Sequence, residues 1–555
     1  MEFKSVLSRK PVSEIVASQD SPDRRLSKVL GPFSIAAMGI GAIIGAGIFV
    51  LTGTAAALYA GPAIVLSFML AAIACGLVGL CYAELSAFLP VSGSSYTYTY
   101  ATLGELAAWV IGWDLILEYA MGGATVAVGW SGYFSSLLRF AGIGLDPRLA
   151  AATGQAVTLA DGTTAAAIAN LPAAGIVVLI TVLLVLGTRE SARLNNFMVT
   201  VKLTVVLAFV VLGAFYVRSA NWHPFIPPNT GEFGSFGPSG ILRGASIVFF
   251  AYIGFDAVSN CAQEARRPQR DMPIGILGSL VTSTVLYIAV AAVLTGLVPY
   301  AELNVPDPVA KGVRVIGHEW FSLFIELGAL IGLTTVILVL LYGQSRIFAA
   351  MANDGLLPPL FARVHPTFRT PYISQLVIGG LVAVVAAVAP IDVLSQLVGV
   401  GTLFAFILVC AAVIYLRSAE PKVPRPFRVP HVPWVPLLGI LSCLGLAVVL
   451  SGWLIAAVIA FMIVAYASFF GVGVVGLMIW FVSARVDLEQ EGAVGVGVSP
   501  GFFARQVRRK AEMSHAERAA FRDEKSLEAQ SIRFFKHFGI ALTLIGAGGF
   551  LYFQL

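Results

Sequence analysis

The chain has 555 residues, 58% of them hydrophobic and only 12% charged, with a mean hydropathy of +0.87. Soluble domains carry about 25% charged residues, so these proportions exclude a water-soluble globular protein and indicate a polytopic membrane protein. The net charge of +5 reports membrane topology and not nucleic-acid binding, because the Lys and Arg residues concentrate in alternate loops.

Residues 1–32 are polar and basic, which is the wrong pattern for a secretory signal and the right one for a cytoplasmic tail. About twelve apolar runs follow, each long enough to cross a bilayer at ~20 residues per span. They lie at 33–58, 62–83, 105–131, 172–188, 197–217, 241–262, 274–297, 321–345, 373–390, 395–416, 434–454 and 456–482. With the N-terminus inside and twelve crossings, most of the 35 Lys and Arg residues fall on the cytoplasmic side. That bias orients a multi-pass protein in the cell membrane. Residues 33–417 form a ten-helix core and 418–482 a loop with helices 11 and 12. Residues 483–537 are a mixed-charge cytoplasmic segment.

The shorter run 538–555 is marginally long enough to be a thirteenth span. Its "LYFQ" also matches part of a protease tag, so an engineering scar is a second reading. Segment 502–537 has amphipathic helical spacing and suits either the inner leaflet or the cytoplasm.

All five cysteines lie in apolar runs without a C-x-x-C pattern, and all six histidines lie in loops or tails. This argues against a disulfide framework, a metal site or a haem. No nucleophile–base set or phosphate loop is present, so the chain does not read as an enzyme, and no cofactor is expected.

Run one contains "MGIGAIIGAGIFVLTG", with Gly39, Gly41, Gly45 and Gly47 close together. Glycine is common in membrane helices for packing. Four so close together also let the backbone leave the helix and present its own N–H and C=O groups, which is tolerated at membrane depth only around a cavity or inside protein. Run six carries a second candidate break in "SIVFFAYIGFDAVSNCAQE", with Gly254 beside two aromatic residues and Asp256. Interrupted helices at corresponding places in two halves point to the binding site of a secondary transporter. Half-helix N-termini favour a carboxylate and C-termini an ammonium, which together suit the zwitterionic head of an amino acid.

With these stretches stand "PVSGSSYTYTYATLGE", "GWDLILEY", "RRPQRDMPIGI", "LYGQSRIFAAMANDGLLP" and "PFRVPHVPWVP". In this order, over roughly residues 30–440, they resemble the amino acid–polyamine–organocation (APC) superfamily, in particular its cationic amino acid transporter branch and bacterial relatives. The resemblance implies an all-α membrane fold with a five-plus-five inverted repeat and broken helices 1 and 6. It implies that backbone around Ile43, Gly45, Ala46 and Gly47 binds the substrate carboxylate, and that Phe250, Ala251 and Ile253 accept its ammonium. Phe250 is the implied aromatic gate.

Lys202 lies about five residues into run five, roughly 8 Å deep at 1.5 Å per residue. Snorkelling of its long stem is one reading. The resemblance supplies another, since several proton-driven relatives carry a lysine here, where sodium-coupled members of the fold hold a sodium ion. An ammonium there would donate to carbonyls of the broken run-one helix, and Lys202 is therefore expected to be the proton-coupling group.

Asp114 and Glu118 share one helical face of run three. Glu118 is near mid-membrane and too short to snorkel, so it is expected either to act in proton transfer or beside the substrate, or to be a protonated structural acid. Asp114 is shallower, and structure and function are equal readings for it. Asp256, just after the run-six break, is expected to orient that segment as a helix-stabilising acid, with direct substrate contact as the other reading. Glu326, at the outer end of run eight, is expected to be solvated at the interface. By position, Leu340 forms the pocket floor with Met121 and Gly122. A bulky floor favours small or medium neutral amino acids, whereas Glu118 argues for cationic ones.

The leading expectation is proton-coupled import of small or medium neutral L-amino acids by alternating access, with protons, the substrate and the lipid bilayer as partners and no nucleic acid. A cationic amino acid facilitator or an exchanger is the alternative within transport, and a membrane amino acid sensor is the alternative of another class.

Overall fold

The computed structural model describes residue 460 and residues 30–450, apart from 91–93, 160, 187–190, 318, 355, 358, 369, 420 and 422–424. The expected twelfth span and the 538–555 segment lie outside these residues, as do the tails 1–29 and 483–537. Six stretches among the described residues are long and apolar enough to cross a membrane, and four shorter apolar helices accompany them.

Helix α1 (Pro32–Ile43) begins on a proline at its first turn, where the missing N–H costs nothing. It stops at Ile44, whose backbone is extended. The chain resumes as a π-helical turn (Gly47–Leu51), α2 (Thr52–Ala55) and a second π-helical turn (Ala56–Ala60). Run one is thus broken where its glycines crowd. Helices α3 (Ile64–Phe88), α4 (Ser94–Thr102) and α5 (Glu105–Phe140) follow. After a two-stranded hairpin, β1 (Ala156–Thr158) and β2 (Thr164–Ala166), come α6 (Leu171–Leu186) and α7 (Ser191–Ala214).

A second break follows. Helix α8 (Gly237–Val248) passes into a 3₁₀ turn (Phe249–Tyr252), an extended Ile253 and a second 3₁₀ segment (Ala257–Glu264). Gly254 holds this break at φ +119°, a conformation that residues with a Cβ rarely adopt. The remaining helices are α9 (Pro268–Leu297), α10 (Pro308–Ile316), α11 (Glu319–Asn353), α12 (Tyr372–Val388), α13 (Ile391–Ala419) and α14 (Trp434–Val449).

Three of the main packing partnerships join α3 to α9, α5 to α11 and α6 to α12. Helices α1 and α8 sit inside, against α9 and α3. The outer faces of α6, α12 and α14 expose Leu179, Val384 and Leu441, as lipid-facing surface requires, since lipid solvates Leu as well as protein does. Polar side chains are instead turned inward. Near the C-terminal end of α3, buried Glu84 accepts from Arg417 Nε and Nη2 at 2.9 and 2.8 Å and from the Val429 N–H at 2.6 Å. Arg425 Nε stands 3.3 Å from the same carboxylate. This cluster pins the segment after α13 onto α3.

Glu326 corrects an expectation. It is buried, not solvated, and accepts from Arg314 Nη1 at 2.9 Å and Ser136 Oγ at 3.0 Å. Arg314 also donates to Asp307 at 2.6 Å. An acid at that depth is retained because α10 brings an arginine to it.

Candidate functional site

The two broken helices meet. The π-helical turn from Gly47 packs on the 3₁₀ turn Phe249–Tyr252, with so little space that a Cβ built on Gly47 would lie 2.3 Å from the Cα of Ala251. Gly254 likewise abuts the backbone of Ala42. Ile43, Gly45, Ala46 and Gly47 are therefore brought beside Phe250, Ala251 and Ile253, all buried. Each break opens backbone groups that a continuous helix would have satisfied internally.

Their partners are specific. The Ile43 carbonyl and the Ala251 carbonyl each lie 2.7 Å from the hydroxyl of Tyr287 on α9. Tyr133 on α5 donates to the Phe49 carbonyl at 2.6 Å. The Phe250 carbonyl accepts from the Ile253 N–H at 3.2 Å.

Lys202 reaches the same place from α7. It is fully buried, and its Nζ donates to the carbonyls of Gly41 at 2.5 Å and Ile44 at 2.9 Å. Its stem does not run back to the interface; it lies against Gly332 of α11. A buried ammonium is tolerable only with such acceptors, and here they are carbonyls at the end of α1, where the helix macrodipole is negative.

Three further acids are buried near the breaks or on α5: Asp256, Asp114 and Glu118. Asp256 accepts from the Gly254 N–H at 3.0 Å and from Tyr119 Oη at 3.4 Å, so it braces the turn that Gly254 permits. Asp114 and Glu118 are buried, and among the described residues none of their four carboxyl oxygens has a hydrogen-bond partner. Asp114 abuts Gly401 of α13, and Thr402 neighbours Glu118. No hydrogen bond or ion pair joins Glu118 to Lys202 among the described residues. The two expected proton-coupling groups are thus separate. Leu340 and Gly122 do meet, with Leu340 Cδ1 at 3.4 Å from where a Gly122 Cβ would stand. Met121 is half-buried on the same helix.

Among the described residues no group of His, Cys, Asp and Glu side chains has metal-binding geometry. Cys75, Cys81, Cys410 and Cys443 are buried and free of disulfides.

Residues 30–484 match the family model described as amino acid permease. The chain belongs to this family. It is 46% identical over 81% of its length to the methylthioribose transporter of Bacillus subtilis, covering 95% of that protein. It is 45% identical over 87% of its length to the branched-chain amino acid permease BcaP of the same organism, covering 98% of it. Cationic amino acid transporter 9 of Arabidopsis thaliana is 38% identical over 74% of this chain and 70% of its own length. The APC resemblance is therefore correct, and this permease is a multi-pass transporter and not an enzyme.

Tyr287 and Tyr133 were not among the residues singled out from sequence. A signal existed for Tyr287: a lone tyrosine within "STVLYIAVAAV" needs a partner for its hydroxyl in a membrane interior.

Proposed function

We propose that this permease imports small or medium neutral L-amino acids, coupled to protons by alternating access. The observation that carries the reading is Lys202: its ammonium caps the carbonyls of Gly41 and Ile44 at the end of broken helix α1. A cation is thus built into the joint between α1, α7 and α11. Protonated, Lys202 braces α1 against α7 with charge-assisted hydrogen bonds; deprotonated, it keeps two N–H donors but loses its charge, which weakens the hold and lets the two part. Proton release at this joint would be linked to opening of the site.

The substrate head group would sit between the two breaks, its carboxylate at Gly45, Ala46 and Gly47 and its ammonium at Phe250, Ala251 and Ile253. Phe250 would act as the gate. Leu340 against Gly122 limits the pocket floor, with Met121 beside it, and this supports neutral over cationic side chains. Asp256 would orient the run-six break. Glu118, with Asp114 behind it, would be a second proton-holding group, reached separately from Lys202.

The pairing of α3 with α9, α5 with α11 and α6 with α12 supports a five-plus-five repeat, because elements five spans apart would be exchanged by a pseudo-two-fold axis. We place the protein in the cell membrane with twelve spans and a cytoplasmic N-terminus.

A second reading has its own support, since one relative of 46% identity is named a methylthioribose transporter. That sugar has neither a carboxylate nor an ammonium. Uptake of radiolabelled L-alanine and L-valine into proteoliposomes, with unlabelled L-arginine and methylthioribose as competitors, decides between them. Uptake that ignores both competitors supports the neutral amino acid reading. Inhibition by arginine indicates a cationic facilitator or exchanger, inhibition by methylthioribose alone indicates the sugar, and binding without uptake indicates a sensor.

A further inference from the structure

We propose that Tyr287 is the positioning residue of this site: its hydroxyl ties the two broken helices together and leaves one carbonyl for the substrate's ammonium. The hydroxyl lies 2.7 Å from the Ile43 carbonyl of the first break and 2.7 Å from the Ala251 carbonyl of the second. A phenol carries a single proton. It therefore donates to one carbonyl at a time, and the pair is always short of one donor. A buried carbonyl without a donor is costly, so the pair recruits a ligand that brings an N–H of its own.

Nothing else about Tyr287 leaves it free to adapt. It is fully buried on α9, with its ring held against Phe68 at 5.4 Å and Tyr252 at 5.3 Å. The hydroxyl position is thus set by aromatic packing against Phe68 of α3 and Tyr252 of the second break, and the first break takes its spacing from it. The bond is made by backbone acceptors, so the arrangement selects for an amine head group and not for any side chain.

This inference rests on the amino acid reading above, and the test separates the two. Purified wild-type protein is titrated with L-alanine, L-valine and L-arginine, and the tightest binder is then compared with its N-methyl derivative. Failure of the wild type to bind any of the three overturns the amino acid reading. With binding established, Tyr287→Phe keeps the ring packing and removes only the hydroxyl. The expected result is a rise in Kd of at least about tenfold, because the two carbonyls lose the tie that sets their spacing, with preference for the primary amine over its N-methyl form reduced severalfold; the ligand-free unfolding temperature falls as well, since both buried carbonyls then lack the hydroxyl donor. An unchanged or larger preference overturns the proposal, as does a fall in unfolding temperature with affinity intact, which marks a purely structural tyrosine.

Should Tyr287→Phe fail to fold, 4-aminophenylalanine at position 287 supplies two N–H donors on the same ring. It satisfies both carbonyls without a ligand, and amino acid affinity is then expected to fall at least tenfold. Wild-type affinity in that protein would contradict the shared-donor arrangement.

Discussion

Gly47 offers the sharpest steric test of the site. A methyl group there would stand 2.3 Å from both the Cα and the Cβ of Ala251, whereas carbon atoms in contact settle at about 3.5–4.0 Å. Gly47→Ala therefore forces the two broken segments apart by more than about 1 Å. The obstacle is backbone on a fully buried turn, which cannot rotate out of the way as a long side chain would. Overpacking of this kind costs about 1–3 kcal/mol. Spent on separating the two halves of the head-group site, that corresponds to a loss of affinity of about 5- to 150-fold.

Scintillation-proximity binding of the radiolabelled substrate measures it directly. Gly76→Ala is the matched control: a Cβ there meets nothing within 4 Å, and replacing glycine inside α3 favours the helix by up to about 1 kcal/mol. Wild-type affinity in Gly47→Ala, with Gly76→Ala behaving as expected, would refute the placement of the ligand between the breaks.

Glu84→Ala leaves Arg417 and Arg425 without their shared carboxylate and is expected to cost about 3–5 kcal/mol. It should appear as a lower unfolding temperature and reduced yield in detergent, and an unchanged unfolding temperature would show that the cluster holds nothing. Leu340→Gly removes the bulk facing Gly122, and uptake of L-alanine in this variant is expected to become sensitive to unlabelled L-arginine. If arginine still fails to compete, the floor of the pocket lies elsewhere.

Much of this molecule was legible in its sequence because a membrane interior forbids ambiguity. The eleven apolar runs in the described region each coincide with observed helices; the first break falls where glycines gather and the second at the single Gly254, where the backbone leaves the helix at tolerable cost. Lys202 was readable for the same reason, as a cation in an apolar run must find acceptors. Less legible were groups whose meaning depends on what lies across the bundle. Nothing local to Glu326 announces Arg314 on α10, so the acid looked solvated when it is in fact buried and paired. Tyr287 resembles any aromatic residue of a membrane helix until the Ile43 and Ala251 carbonyls are seen at its hydroxyl. The hairpin of β1 and β2 is short, and no apolar alternation marks it.

The central claim is that Lys202 links proton movement to the broken helix α1. Its most direct test is accumulation of radiolabelled L-alanine in proteoliposomes under an inward proton gradient, comparing the wild type with Lys202→Ala. The wild type is expected to concentrate alanine only with the gradient, and Lys202→Ala to bind alanine yet no longer concentrate it. Gradient-driven accumulation that survives in Lys202→Ala would contradict the account and leave the lysine as a structural tie between α7 and α1.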